Sequence, residues 1–318
     1  MSKKALIVGV SGQDGSYLAR LLLDKGYTVY GTSRDAAACA FTGLKRLGIY
    51  GHVHLISMST REFQSVFQTL KNIKPDEVYN LAGQTSVGLS FDQPAETFES
   101  ITIGVLNLLE TIRSLGGGIK LYNAASSECF GNMKGFSADE TTAFSPLSPY
   151  AVAKCAAFWQ VANYRTAYNI FACSGIMFNH ESVLRHDRFV TQKIIRGAKL
   201  ISLGKLDKLA LGTLTIERDW GWAPEYVEAM WLMLQSQNPE DFVIGTGTSH
   251  TLQHFVESSF SYVNLDYRDY LVFESKFCRP NEISVSRSNP TKAKNLLGWE
   301  AKVNLDQVIA YMFEGLIL

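Results

Sequence analysis

Residues Gly9-Val10-Ser11-Gly12-Gln13-Asp14-Gly15 stand between an apolar run, Ala5 to Val10, and an amphipathic segment, Ser16 to Lys25. A chain that must leave a strand and enter a helix within so few residues needs small side chains there. The same smallness lets backbone amides approach a pyrophosphate at the helix N-terminus. The spacing is G-x-x-G-x-x-G, and it marks Gly9, Gly12, Gln13, Asp14 and Gly15 as candidate dinucleotide contacts. Leu18, Leu21 and Leu22 fall on one face of the following helix, and Gly26 is its expected stop.

The rest of the first half keeps this rhythm. Short β-rich runs at Thr28 to Gly31, His52 to Met58, Glu77 to Leu81, Lys120 to Ala125 and Phe171 to Ile176 alternate with helical patterns. The expected fold is therefore α/β, a Rossmann-like doubly wound parallel sheet. Beyond Phe178 the alternation fails, although Arg218 to Trp222, Pro224 to Leu234 and Phe242 to Gly245 read as a return to the sheet. Residues 1–178 with 213–247 are thus expected to form the dinucleotide-binding domain. Residues 179–212 with 248–318 are expected to form a smaller, discontinuous substrate-binding domain.

Composition narrows the function classes. The 318 residues carry 46% hydrophobic content and a formal net charge of zero, enough apolar material for a sizeable core. No long run of either charge sign occurs, so neither nucleic acid nor an anionic membrane is expected as a partner. No apolar stretch approaches membrane-spanning length, and Ala5 to Val10 is too short for a signal peptide. The five cysteines have no C-x-x-C spacing, which argues against a zinc site or a disulfide framework and fits a reducing, cytoplasmic setting. No metal is expected: His250 and His254 lack a third ligand. Cys129 reads as a packed thiol, and Trp220, Trp222, Tyr226 and Trp231 read as packing.

The chemistry concentrates in two motifs. Ser126-x-Glu128 follows the Lys120 to Ala125 run, at the carboxyl edge where open α/β sheets bind ligands. Tyr150-x-x-x-Lys154 lies at the start of a helix opened by Pro149, so the two side chains share one face. Bringing a tyrosine from about 10 to about 7 requires roughly 4 kcal/mol. One ammonium at about 4 Å supplies that amount at an effective dielectric near 20. Tyr150 and Lys154 suggest hydride chemistry, while Glu128 adds a second proton carrier and Ser126 a hydroxyl-orienting group. At the end of the second strand, Arg34 beside Asp35 favours a ribose 2′-phosphate, hence NADP over NAD.

These motifs, with VYNLAGQTSV from Val78, FNHES from Phe178, RDWGWAPEYVEAMWLMLQ from Arg218 and RPNE from Arg279, resemble the extended short-chain dehydrogenase/reductase family. The last three are similar to its GDP-mannose 4,6-dehydratase branch. The resemblance spans nearly the whole chain and implies an NADP-dependent lyase acting on a GDP-hexose. Tyr150 with Lys154 would deprotonate the hydroxyl on carbon 4, and Glu128 would remove the carbon 5 proton. Ser126 and Glu128 would assist loss of water from carbon 6, after which hydride returns to that carbon. It further implies cofactor contacts at Arg34, Leu81, Gln84, Tyr150, Lys154, His180 and Arg185. Substrate contacts are implied at Asn179, Val190, Lys193, Arg218, Arg279 and Glu282, and a homodimer or homotetramer is implied as the assembly.

The chain departs from the family pattern in several places. Arg34 to Phe41 is short and alanine-rich where the family has a longer arginine- and serine-bearing loop. Ser57-Met58 replaces an acidic residue, Gln192 stands for a common arginine, and Val183-Leu184 interrupts a Pro-Arg pattern. These departures surround the residues that choose the sugar. A related GDP-sugar such as a GDP-heptose, or a nucleotide-sugar reductase or epimerase reaction, is the alternative, with Glu128 favouring dehydration.

Overall fold

The computed structural model describes residues 2–316. β1 (Lys4–Val8) ends two residues before the predicted limit. Gly9 takes a φ of +90°, which breaks the extended path. The amides of Gly9 and Val10 then both donate to the Thr32 carbonyl, folding the turn against the neighbouring strand. The chain enters α1 (Gln13–Asp24) directly, with Leu18 and Leu22 fully buried and Leu21 partly so. Gly26, at φ +81°, reverses the chain into β2 (Thr28–Ser33).

β3 (His54–Ser57), β4 (Glu77–Asn80), β5 (Lys120–Ser126) and β6 (Ala172–Met177) follow. With the edge strand Phe242–Ile244 they form a seven-stranded sheet, in the order edge strand, β6, β5, β4, β1, β2, β3. Every pairing in it is parallel. β4 and β6 are buried along their whole length, as expected when helices cover both faces. On one side, α1 packs with the helix Ala223–Gln235; on the other, Phe63–Ile73, Gly104–Ser114 and Pro149–Tyr168 close a second core. Strand order reverses between β1 and β4, and the crevice there is the ordinary ligand position of this architecture.

One expectation fails. Arg218 to Trp222 does not rejoin the main sheet, because the outer edge of β6 is already taken by Phe242–Ile244, and Phe178 N donates onward to Ile244 O. Instead, Trp220–Trp222 pairs in parallel with Asn179–Glu181, while Glu217–Arg218 pairs antiparallel with His250–Thr251. A separate apolar cluster gathers the helices Val190–Ser202, Leu252–Tyr262 and Leu305–Glu314. The last carries a capping box, with Asn304 and Gln307 each satisfying the other's backbone amide.

The segment after Arg279 is tied to the loop after β5. Asn132 Oδ1 accepts from Ser284 Oγ and Val285 N, and Ala138 N donates to Arg287 O. That stitching carries Arg279 and Glu282 over the end of β5. Among the described residues, no helix is long and apolar enough to cross a membrane.

At Gly15 a Cβ would lie 2.5 Å from Gly9 O and 2.7 Å from Val10 Cα, both backbone atoms unable to retreat without opening the turn. Gly15→Ala should therefore lower unfolding stability by about 1–3 kcal/mol in urea titration. Gly51→Ala, where nothing lies within 4 Å, should stay within about 0.5 kcal/mol.

Candidate active site

Two clefts open at the carboxyl edge of the sheet. The larger, about 1230 Å³, runs over the glycine turn and the ends of β1 and β2. Gly9, Gly12, Gln13, Asp14 and Gly15 form its floor, Leu81 and Gln84 its wall, and Arg34 its outer rim. The smaller, about 580 Å³, is lined by Ser126, Glu128, Tyr150, Lys154 and His180. Asn179, Val190, Lys193, Arg218, Arg279 and Glu282 line it as well. Asp14, Leu81 and Arg185 border both clefts, so the two meet there. The candidate catalytic and binding residues thus line one connected space.

The floor suits a dinucleotide. A Cβ at Gly9 would sit 3.0 Å from Ala82 N, and one at Gly15 would strike backbone, so only glycine leaves the close surface that a pyrophosphate needs. The helix N-terminus at Gln13 also points free amides at this floor. Its neighbours are tied across the cleft. Gln13 Nε2 donates to His180 O, Ser182 Oγ donates to Gln13 Oε1, and His180 Nε2 lies 2.9 Å from Asp14 Oδ2. His180 Nδ1 is 2.7 Å from Phe178 O, so both ring nitrogens face acceptors, an arrangement that favours the protonated ring. Although burial opposes it, Asp14 holds the His180 pKa above its ordinary value. The Asp14 carboxyl is likewise resisted by burial, yet His180 brings it down to about 2.

β5 delivers Ser126 as its last residue, and a 3-10 turn over Ser127–Phe130 aims Glu128 into the smaller cleft. Ser126 Oγ accepts from Glu128 N at 3.3 Å, fixing the pair relative to each other. Burial raises the Glu128 pKa, against the pull of Arg279 and Arg218. Arg279 Nη1 stands 3.7 Å from its Oε1. Arg218, itself buried, donates to Glu282 Oε1 at 2.8 Å, and desolvation lowers the guanidinium's own pKa. Two arginines and two carboxylates therefore share a confined space, where burial and the arginines pull Glu128 in opposite directions.

The Tyr150–Lys154 expectation needs correction in one respect. The helix presents both on one face, but Lys154 Nζ lies 5.7 Å from the Tyr150 ring centre and donates to Ala124 O at 2.7 Å. Burial pushes the Tyr150 phenol well up, and Ser126 is the main group opposing that shift. Burial brings the Lys154 ammonium down to about 8. At this separation the expected Coulombic help to the phenol is outweighed by desolvation.

Thr85, Arg188 and Phe189 also border both clefts, and the sequence reading passed over them. None of them lies in a run whose periodicity reveals which side chain faces inward. Elsewhere, Cys129, Trp220 and Tyr226 are buried, and His250 stacks on His254 at 5.1 Å.

The GDP-mannose 4,6 dehydratase family model matches residues 6–312. The chain is 43% identical to GDP-mannose 4,6 dehydratase 1 of Arabidopsis thaliana, over 98% of this chain and 89% of that one. The chain belongs to the GDP-mannose 4,6-dehydratase family. Its fold also superposes on solved structures below 25% identity, a likeness of fold alone. A Bacillus anthracis dTDP-glucose 4,6-dehydratase in complex with NAD gives a TM-score of 0.86 at 19% identity, covering 99% of this chain and 96% of that one. RMD from Pseudomonas aeruginosa, complexed with NADPH, gives 0.80 at 20%, covering 99% and 97%. This family member thus shares its fold with one protein solved with NAD and another solved with NADPH.

The Asp14–His180 tie has a pH signature. Asp14, depressed to about 2, contributes stability present above its ordinary value of 3.8 and lost as pH falls toward 2. His180, raised above 6.5, contributes stability fully present below 6.5 and lost as pH rises through its elevated value. In thermal melts across pH, Asp14→Asn should lower Tm most between these limits and converge on the unaltered chain at both extremes.

Proposed function

We propose that this enzyme removes water from GDP-mannose to give GDP-4-keto-6-deoxymannose, using a retained NADP. The observation carrying this reading is Glu128, a partly buried carboxyl of raised pKa set beside Ser126 and facing two arginines. A simple reductase of this architecture needs Tyr150 and Lys154 but has no use for a second proton carrier there. A nicotinamide dinucleotide held over the glycine floor would supply the hydride chemistry linking carbon 4 and carbon 6.

The protein residues do the rest. Tyr150 exchanges the proton of the carbon 4 hydroxyl, with Lys154 supplying positive charge on the same helix face at neutral pH. Glu128 takes the proton from carbon 5, which the adjacent ketone acidifies. With Ser126 it passes that proton to the departing carbon 6 hydroxyl, and a solvent-derived proton returns to carbon 5 as carbon 6 is reduced. Arg218 and Arg279 take the diphosphate, since a guanidinium fork matches phosphate oxygens and would release Glu128 from its neighbour. Asn179, Val190, Lys193 and Glu282 complete the substrate side. Gly9, Gly12, Gln13, Asp14, Gly15, Leu81, Gln84, His180 and Arg185 hold the dinucleotide.

Two further parts of the reading rest on local geometry. Asp35 Oδ1 accepts from Ala37 N and Ala38 N, so its carboxylate closes its own turn and Arg34 is left facing the cleft rim. That favours the 2′-phosphate form of the cofactor. Phe98, Ile103, Val152 and Trp159 are exposed on the Pro94 and Pro149 helical segments, which favours pairing of subunits through that face. A cytoplasmic setting completes the reading.

Incubation with GDP-mannose in deuterated water should yield a product lighter by one water, with deuterium at carbon 5, by mass spectrometry and NMR. A product that retains its water would overturn dehydration. Glu128→Gln should cut kcat by about 10²–10⁴ while leaving GDP-sugar binding within a few-fold. As a base Glu128 must be ionised, so kcat/KM should rise with pH through its elevated pKa, and that acid limb should vanish in the variant's residual activity.

A further inference from the structure

Five arginines line the larger cleft, at positions 34, 46, 61, 185 and 188. Three are already engaged by their own neighbourhood. Arg46 donates to the carbonyls of Val183 and Gly315, Arg185 pairs with Glu181 at 3.1 Å, and Arg188 turns back to His186. Arg34 and Arg61 differ, because both reach out to acids on the facing helical segment. Arg34 Nη1 is 3.9 Å from Glu96 Oε1, while Arg61 Nη1 is 2.5 Å from Glu96 Oε2 and 3.5 Å from Glu99.

Their placement matters. Arg34 follows the last residue of β2 and Arg61 lies four residues beyond the end of β3, and these two strands pair with Ser33 opposite Ser57. Both therefore overhang the carboxyl edge where a Rossmann-like sheet receives the adenosine ribose. Glu96 lines the same cleft and offers one oxygen to each guanidinium. An oxyanion with two or more oxygens can thus touch both arginines from one point, and a carboxylate of the chain occupies that point.

We infer that Arg61 is a second specificity-determining residue for the ribose 2′-phosphate, forming a clamp with Arg34, and that Glu96 is the internal anion the phosphate displaces. The inference rests on the NADP reading above. A phosphate brings about 1.5–2 negative charges and three acceptor oxygens against the single charge of Glu96, so it outcompetes the carboxylate for both forks. The Arg34 side chain is 80% exposed and free to swing inward, whereas Arg61, at 39%, is the better ordered half of the clamp. A ribose with a free 2′-hydroxyl has nothing to displace Glu96 with, so the latch stays shut and NAD gains nothing from either arginine. Cofactor choice is then a contest between two anions, with Glu96 setting the threshold.

The test uses adenosine 2′,5′-bisphosphate and adenosine 5′-monophosphate, which differ only in the 2′-phosphate, titrated calorimetrically into the purified chain after its nucleotide content has been measured. The unaltered chain should prefer the bisphosphate by about tenfold or more. Arg61→Ala should remove most of that preference while leaving monophosphate binding within about twofold, and Arg61→Lys should recover part of it. Glu96→Gln should tighten bisphosphate binding several-fold without helping the monophosphate, a gain that misfolding cannot produce. A preference that survives Arg61→Ala, or weaker bisphosphate binding in Glu96→Gln, overturns the clamp and leaves the NADP reading intact. A ratio near one in the unaltered chain overturns the NADP reading and the clamp together.

Discussion

Parallel pairing of seven strands forces every strand to end on the same edge, and the rest of the molecule is organised by that constraint. Residues far apart in sequence share a rim only because each follows a strand in that sheet. Gly9 follows β1, Arg34 follows β2, Leu81 follows β4, and Ser126 closes β5. The reversal of strand order between β1 and β4 then opens the crevice into which these ends project. The helices on either face keep the sheet dry, so its interior hydrogen bonds face no competition from water.

Burial at that rim does the electrostatic work. The same desolvation that raises Glu128 also lifts Tyr150 and brings Lys154 down to about 8, so three proton-bearing groups are moved toward their neutral forms together. Opposing this, Arg218 and Arg279 pull Glu128 toward its ionised form. Burial and the two arginines therefore act on Glu128 in opposite senses. The Asp14–His180 pair works in the opposite sense. There a buried contact preserves both charges and locks the glycine turn to the strand Asn179–Glu181.

Much of this was legible in the sequence because local rules suffice for it. A glycine-spaced turn between an apolar run and an amphipathic helix admits few structures, and the alternation after it names the sheet. Of the eight runs read as sheet strands, seven form the main sheet, and only Arg218 to Trp222 lies outside it. Its misreading has a definite cause, since edge occupancy is a property of the assembled sheet and leaves no trace in the hydropathy of a short run. Thr85, Arg188 and Phe189 were invisible for a related reason: loops carry no periodicity.

The chain's sequence by itself determined the sheet, the glycine floor and which titratable residues meet at the cleft, because these depend on residue type and short-range spacing. Only the tertiary structure decided how those groups are poised. Asn132 and Ala138 stitch the segment 284–289 to the loop after β5, and so bring Arg279 to 3.7 Å from Glu128, 151 positions earlier in the chain. Likewise Lys154, placed by its helix on the Tyr150 face, is drawn to the Ala124 carbonyl rather than to the phenol. Charges interact through space and burial, and neither is written in the order of the residues.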